Sequence, residues 1–249
     1  MGAIYTIWLR EMKLFTRNRS RLIGSLATPF FWLAFVGIGL STSFEFPGLS
    51  VDYLDFMTPG IIGMGLLFFS MFSGISVLWD KQFGFMKEMM VAPISRRSIV
   101  LGKTAGGTTA AMFQAIIILL MAKLMGVGIA GVRGSLFSIP FMILISAGFV
   151  SLGLSFAARM EDPHGFQMIM SFIMMPLFFL SGALFPLVDV PAWLKFLAYL
   201  DPLTYGVDGL RGTLINTHQF PLLLDISILV IFSIAMVSLG SFLFESSSV

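Results

Sequence analysis

The chain has 249 residues, 57% of them hydrophobic and 11% charged, with a mean hydropathy of +0.95. Ordinary soluble domains carry about 25% charged residues, so the composition excludes that class and points to a membrane protein. The formal net charge is only +2, and there are no cysteines, which excludes disulfides, thiol catalysis and thiolate-bound metal.

The first predicted element is an interfacial helix over residues 3–20. Thr6, Arg10, Lys13 and Arg17 recur on one face, and Ile4, Trp8, Met12 and Phe15 on another. Such a helix lies along the bilayer surface with its basic side toward headgroups; a simple positive flank is the plainer alternative. Trp8, Arg10, Lys13 and Arg17 are its candidate functional residues. The apolar run that follows is too long for a cleaved leader and lacks a small-residue cleavage pattern.

A bilayer core about 30 Å thick takes about 20 apolar helical residues to cross. Six runs meet this length, and we predict transmembrane helices at 22–44, 56–79, 96–122, 134–158, 163–184 and 224–244. The expected fold is an all-α integral membrane protein forming a single transmembrane domain over 1–249. In the fourth span, Ala147, Ser151 and Ser155 stand four residues apart, a spacing that lets helices approach closely within one subunit or between two. Pro163 suits the first turn of the fifth span, and Pro176 predicts a kink within it.

Lys and Arg gather on one side of these spans. That side holds Arg10, Lys13, Arg17, Arg19 and Arg21, then Lys81, Lys87, Arg96, Arg97 and Lys103, then Arg159. The other side holds Lys123, Arg133, Lys195 and Arg211, with the acidic Glu45, Asp52 and Asp55 in its first loop. Both termini and the 80–103 loop are therefore expected in the cytoplasm. Basic residues placed at membrane edges do not form a nucleic-acid surface.

The 79–103 stretch joins the second and third spans. A helix over 81–92 would set Lys81, Gly84 and Glu88 on one side, and Phe83, Met86 and Met90 on another. Gly84 would allow close approach of a partner. Pro93 ends the helix and Ser95 can cap the next one. A docking element and a basic interfacial loop both fit. Gly102-Lys103-Thr104 mimics the end of a phosphate-binding loop, but the required glycine five residues earlier is Arg97 and no strand precedes it.

Residues 190–213 are too apolar for a solvated loop and too short to span. They predict a re-entrant-like helical pair on or in the outer leaflet. Pro191 opens the first helix, with Trp193, Phe196, Leu197 and Leu200 on its apolar side. Asp201-Pro202 caps and starts the second. Trp193, Tyr199 and Tyr205 suit the membrane boundary. His164 and His218 fall on opposite sides of the membrane and cannot share a metal or a catalytic pair. Arg159, Glu161 and Asp162 form a charged turn, read as a structural ion pair or as a latch.

Two stretches carry a resemblance. Glu88 with Met89-Met90-Val91-Ala92-Pro93-Ile94-Ser95-Arg96-Arg97 and Leu101-Gly102-Lys103 is one. Leu180-Ser181-Gly182-Ala183-Leu184-Phe185-Pro186, then Val190-Pro191-Ala192-Trp193-Leu194, Asp201-Pro202-Leu203-Thr204-Tyr205 and Asp208-Gly209-Leu210-Arg211-Gly212 is the other. In this order, within six spans, they resemble type-2 ABC exporter permeases over essentially the whole chain. Phe85-Met86-Lys87 departs from the small residue and Thr-Leu of many members.

The resemblance implies a half-transporter of a prokaryotic plasma membrane. It would pair with a second permease subunit, identical or not, and with two ATP-binding subunits that bind the ATP and Mg. Residues 81–92 would be the coupling helix, with Lys81, Gly84, Lys87, Glu88, Pro93, Ser95, Arg96 and Arg97 meeting the ATPase. Pro186, Pro191, Trp193, Asp201, Pro202, Tyr205 and Arg211 would belong to the outer gate. The chain itself would bind no cofactor or metal and hold no ATPase site. The cargo would be an amphipathic drug, a lipid or a lipid-linked glycan. An ion-coupled carrier or channel is the alternative, and a lipid-acting membrane enzyme a third class.

Overall fold

A computed structural model describes residues 2–41, 52–188 and 190–246 of the chain. Every regular element among them is helical. In order these are α1 (Gly2–Arg17), α2 (Arg19–Phe31), a π-helical turn (Trp32–Gly37), α3 (Ile38–Ser41), α4 (Tyr53–Ser73), α5 (Ile75–Gln82), α6 (Phe85–Val91), α7 (Arg96–Leu124), α8 (Gly131–Arg159), α9 (Pro163–Leu180), α10 (Ala192–Leu200), α11 (Pro202–Ile215) and α12 (Leu222–Ser246).

Among the described residues, five helical stretches are long and apolar enough to cross a membrane: Tyr53–Gln82, Arg96–Leu124, Gly131–Arg159, Pro163–Leu180 and Leu222–Glu245. A sixth is counted when Gly2–Arg17 and Leu22–Gly37, which meet at 69°, are taken together. That bend separates α1 from the helix entering the bilayer. The end of the predicted first span, and Glu45 beyond it, lie outside the described residues.

The second span begins at Tyr53 rather than 56 and runs through α5 to Gln82, with a break at Gly74. The fifth ends at Leu180, where Ser181 and the left-handed Gly182 turn the chain, not at 184. Its helix continues through Pro176. Asp162 caps its start, accepting from the N–H groups of His164 (3.1 Å) and Gly165 (2.7 Å). Those two N–H groups hold the Asp162 carboxyl below the usual carboxylate range.

Helix α8 is central, packing against α4, α7, α11 and α12. Its small residues face inward within this one chain. Ser151 Oγ meets Thr104 Oγ1 of α7 at 3.1 Å, and Ser155 lies against Gly240 of α12. A close backbone approach is made by a pair the four-residue spacing did not include, Gly153 and Gly74. A Cβ on Gly153 would sit 2.4 Å from the Met71 carbonyl oxygen, and one on Gly74 would sit 2.5 Å from the Gly153 backbone. The two backbones come into close contact there because neither residue has a side chain.

Candidate functional site

The loop between the second and third spans is an elbow, not one helix. Helix α5 ends at Gln82, and Phe83 and Gly84 turn the chain before α6 begins. Gly84 has a φ of 79°, a left-handed conformation in which a side chain costs energy and glycine does not. No atom lies within 4 Å of where its Cβ would be. The requirement for glycine is therefore conformational. The expected continuous helix over 81–92 is corrected on this point, because the turn removes Lys81 from the face that carries Glu88.

The elbow is fastened from behind. Met86 is buried, with Met89 and Met90 partly so. Lys81 Nζ donates to the carbonyls of Ala157 (3.1 Å), Ala158 (2.8 Å) and Met160 (3.2 Å), at the end of α8. A helix C-terminus exposes unpaired carbonyls and the negative end of the dipole, so a lysine there satisfies both. Arg96 Nη1 donates to the carbonyls of Glu245 (2.6 Å) and Phe244 (3.2 Å), at the end of α12. Arg97 Nε pairs with Glu245 Oε1 at 2.8 Å. Ser95 caps α7, its hydroxyl accepting from Ser98 N–H at 3.2 Å.

Lys81 and Arg96 are thus internal ties, although the sequence suggested a partner-facing role. Lys87, Glu88, Pro93, Ser95 and Arg97 remain exposed, along with Phe83, Phe85 and Val91.

Helix α1 lies along α7 at the same end. Gly102 and Gly106 form its seat: a Cβ on the first would be 2.7 Å from Ile7 Cβ, and on the second 2.6 Å from Glu11 Cβ. Trp8 Nε1 donates to Thr109 Oγ1 at 3.1 Å. Ile7 and Phe15 are buried, while Lys13 and Arg17 face outward.

Four charges close this end of the bundle. Lys103 Nζ donates to Asp80 Oδ2 (2.6 Å), Glu11 Oε1 (2.8 Å) and Ser76 Oγ (3.2 Å), which uses all three of its donors. Arg10 contacts both oxygens of Asp80, the longer contact at 3.2 Å, and lies 5.4 Å from the Phe85 ring centroid. Two cations and two anions tie α1, α5 and α7 with no charge left over. Sequence reasoning missed Glu11 and Asp80 and counted Lys103 as a loop cation, although it is 2% exposed.

At the opposite end, the expected helical pair divides into an outer and an inner member. Helix α10 presents Trp193, Phe196, Leu197 and Leu200 outward. Helix α11 is buried from Leu203 to Leu214, packed against α4, α8 and α12. Its neighbours supply the protein cover that a re-entrant segment requires. Asp201 caps α11 through Leu203 N–H at 2.9 Å, and Pro202 occupies its first turn. Tyr205 Oη donates to the Tyr199 carbonyl at 2.9 Å.

Arg211 is buried with its guanidinium 3.9 Å from the Phe56 ring centroid, and it donates to the Gly182 carbonyl at 3.0 Å. It therefore holds the 181–187 turn, which includes Pro186, against α4. Asp208 accepts from Gln219 and Phe220 N–H groups at 2.9 Å, fixing the link to α12. His218 packs on Gly212, far in the fold from His164 at the start of α9. Among the described residues no three His, Cys, Asp or Glu side chains converge as metal ligands.

Two cavities open along α4. The larger, about 1340 Å³, lies beside the charged cluster and is lined in part by Arg10, Arg17, Trp79, Asp80 and Gln167. The smaller, about 370 Å³, lies deeper among α2, α4, α7 and α9.

Against known proteins, the model of the ABC-2 type transporter family matches residues 2–215. The inner membrane transport permease YadH of Escherichia coli (strain K12) is 25% identical over 248 residues, covering 94% of this chain and 91% of that protein. Nodulation protein J of Rhizobium leguminosarum bv. viciae is 25% identical over 229 residues, covering 91% and 87%. The transport permease ycf38 of Porphyra purpurea is 27% identical over 203 residues, covering 81% and 70%.

Proposed function

The chain belongs to the ABC-2 type transporter family, and on that premise we propose that it is the membrane-spanning half of an ATP-driven exporter. Membership makes it a transport permease whose family works with an ABC ATP-binding partner. The finer reading is that two copies of that partner dock at the basic end, that a second permease subunit completes the pathway, and that both termini are cytoplasmic. The inner-membrane relative supports a plasma-membrane setting. The cargo class we propose is an amphipathic drug, lipid or lipid-linked glycan moved outward.

One observation carries the reading: the elbow. Its outer surface offers Phe83, Phe85, Lys87, Glu88 and Val91 to a partner. Its inner side is tied through Lys81 to α8 and through Arg96 to α12. In this reading a push on α6 reaches α8 across the Phe83–Gly84 turn and Lys81, and α12 across residues 92–95 and Arg96. The outward face of α9, including Met168 and Phe172, suits contact with lipid or with the second permease.

The test is co-reconstitution with the ATPase subunit in vesicles, comparing the wild type with Glu88→Lys. Insertion should be unchanged while transport-linked ATP hydrolysis is lost. Normal coupled hydrolysis and transport in that variant would sink the docking claim. A second reading, a carrier driven by an ion gradient, is favoured by Asp225 of α12, which is fully buried with neither oxygen hydrogen-bonded. Gradient-driven transport in vesicles lacking any ATPase would establish it instead.

A further inference from the structure

The larger cavity holds an imbalance of charge. Its lining includes Arg10, Glu11, Arg17 and Asp80, and Lys103 stands behind it, bound to Asp80 and Glu11. Arg10 and Lys103 are balanced by Glu11 and Asp80, which leaves Arg17 in excess. The Arg17 side chain is exposed and makes no hydrogen bond or ion pair among the described residues. Its place in the fold sets the depth of that charge. Arg17 ends α1 at the 69° bend between the surface helix and the helix entering the bilayer, which is headgroup level. Helix α9 adds Gln167 and Ser171 to the same lining, one turn apart. Both are exposed, and neither side chain is hydrogen-bonded among the described residues.

The rest of the lining is largely apolar. Leu14 is 48% and Trp79 44% exposed, and Phe69 and Phe72 also line the smaller cavity, which no charged side chain lines. A singly positive polar surface joined to an apolar wall fits an amphiphile rather than a bare ion, and its sign disfavours a cationic head. We propose that the larger cavity binds a singly anionic amphiphile with a phosphodiester head. Arg17 holds the phosphate by charge-assisted hydrogen bonds, and Gln167 and Ser171 donate to its remaining oxygens. The chain lies along Trp79 and Phe72 toward the smaller cavity. A bilayer lipid and a transported one share this chemistry. Any role in export rests on the exporter reading, but binding itself requires no ATPase.

The experiment uses the full chain in phosphatidylcholine nanodiscs, with Trp8→Phe, Trp32→Phe and Trp193→Phe leaving Trp79 as the only tryptophan. The probes are phosphatidylglycerol and phosphatidylcholine brominated alike, high on the acyl chain, where bromine quenches tryptophan at short range. The anionic probe is expected to quench Trp79 at a mole fraction about fivefold lower, the worth of one basic residue beside an anionic lipid. Arg17→Gln should erase that preference, and Arg17→Lys should keep it. Lys13→Gln, which removes an exposed cation of α1 outside the cavity lining, should leave it unchanged. Equal quenching by the two probes would overturn the proposal. So would a preference that survives Arg17→Gln, or one that falls as far in Lys13→Gln, the mark of diffuse surface charge. In vesicles with the ATPase subunit, ATP-dependent movement of phosphatidylglycerol to the opposite leaflet identifies the occupant as cargo, and its retention identifies a resident bilayer lipid. Loss of all ATP-driven transport beside an intact anionic preference would count against the exporter reading alone.

Discussion

Lys103 shows how much a single residue can hold. Its ammonium is enclosed with Asp80 and Glu11, and Arg10 completes the set from α1. Removing one member of a buried ionic group strands the others, at about 3–5 kcal/mol. Asp80→Asn is therefore expected to lower thermal stability sharply, because it weakens both Arg10 and Lys103 at once. Combining it with Lys103→Met should cost clearly less than the two single changes added, since each removes the other's stranded partner. Thermal unfolding of the four proteins in detergent measures this, and strict additivity would show that the charges do not act as a unit. The same residue also explains a misreading. Counted along the chain, Lys103 is one more basic residue near a membrane edge, whereas in the fold it neutralises carboxylates that arrive from positions 11 and 80.

At the scale of elements, the elbow depends on a backbone conformation. Gly84 is left-handed with open space around it, so substitutions separate conformational cost from steric cost. Gly84→Asn, which tolerates this region, should keep most transport-linked ATP hydrolysis. Gly84→Val, β-branched and strained there by roughly 1–2 kcal/mol, should lose it. Equal behaviour of the two variants would mean that the partner, not the turn, sets the requirement. The turn was not legible from periodicity, because a run from Lys81 to Ala92 shows a helical pattern throughout. The signal available was the glycine itself, read as a site of close approach rather than as a change of direction. The caps were easier to read: Ser95, Asp162 before Pro163, and Asp201 before Pro202 each act on backbone N–H groups two or three residues away.

Taken as a whole, the molecule has two differently built ends. One gathers the ionic cluster, the elbow and the C-termini of α8 and α12. The other gathers Arg211, the 181–187 turn and the α10–α11 pair. From the bias of Lys and Arg we propose that the first end is cytoplasmic. The cysteine-free chain allows a direct check. Val91→Cys, at a position 87% exposed, should react with an impermeant maleimide only after lysis, and Gln219→Cys should react in intact cells. The reverse pattern would invert the molecule and remove the elbow from any cytoplasmic ATPase.

The sequence alone determined the helical class, the approximate spans, the basic end and the family resemblance. Each of these rests on local quantities: apolar run length, cap chemistry, proline position and the order of short motifs. The tertiary structure decided which charges meet, which cations turn inward and which short helix is core. Lys81, Arg96 and Lys103 are alike in sequence as basic residues beside a span. They differ because the ends of α8 and α12 offer carbonyls to the first two, while α1 and α5 offer carboxylates to the third. Those partners lie from 23 to 149 residues away along the chain. A buried charge takes its role from what packs against it, and only the assembled helices supply that neighbour.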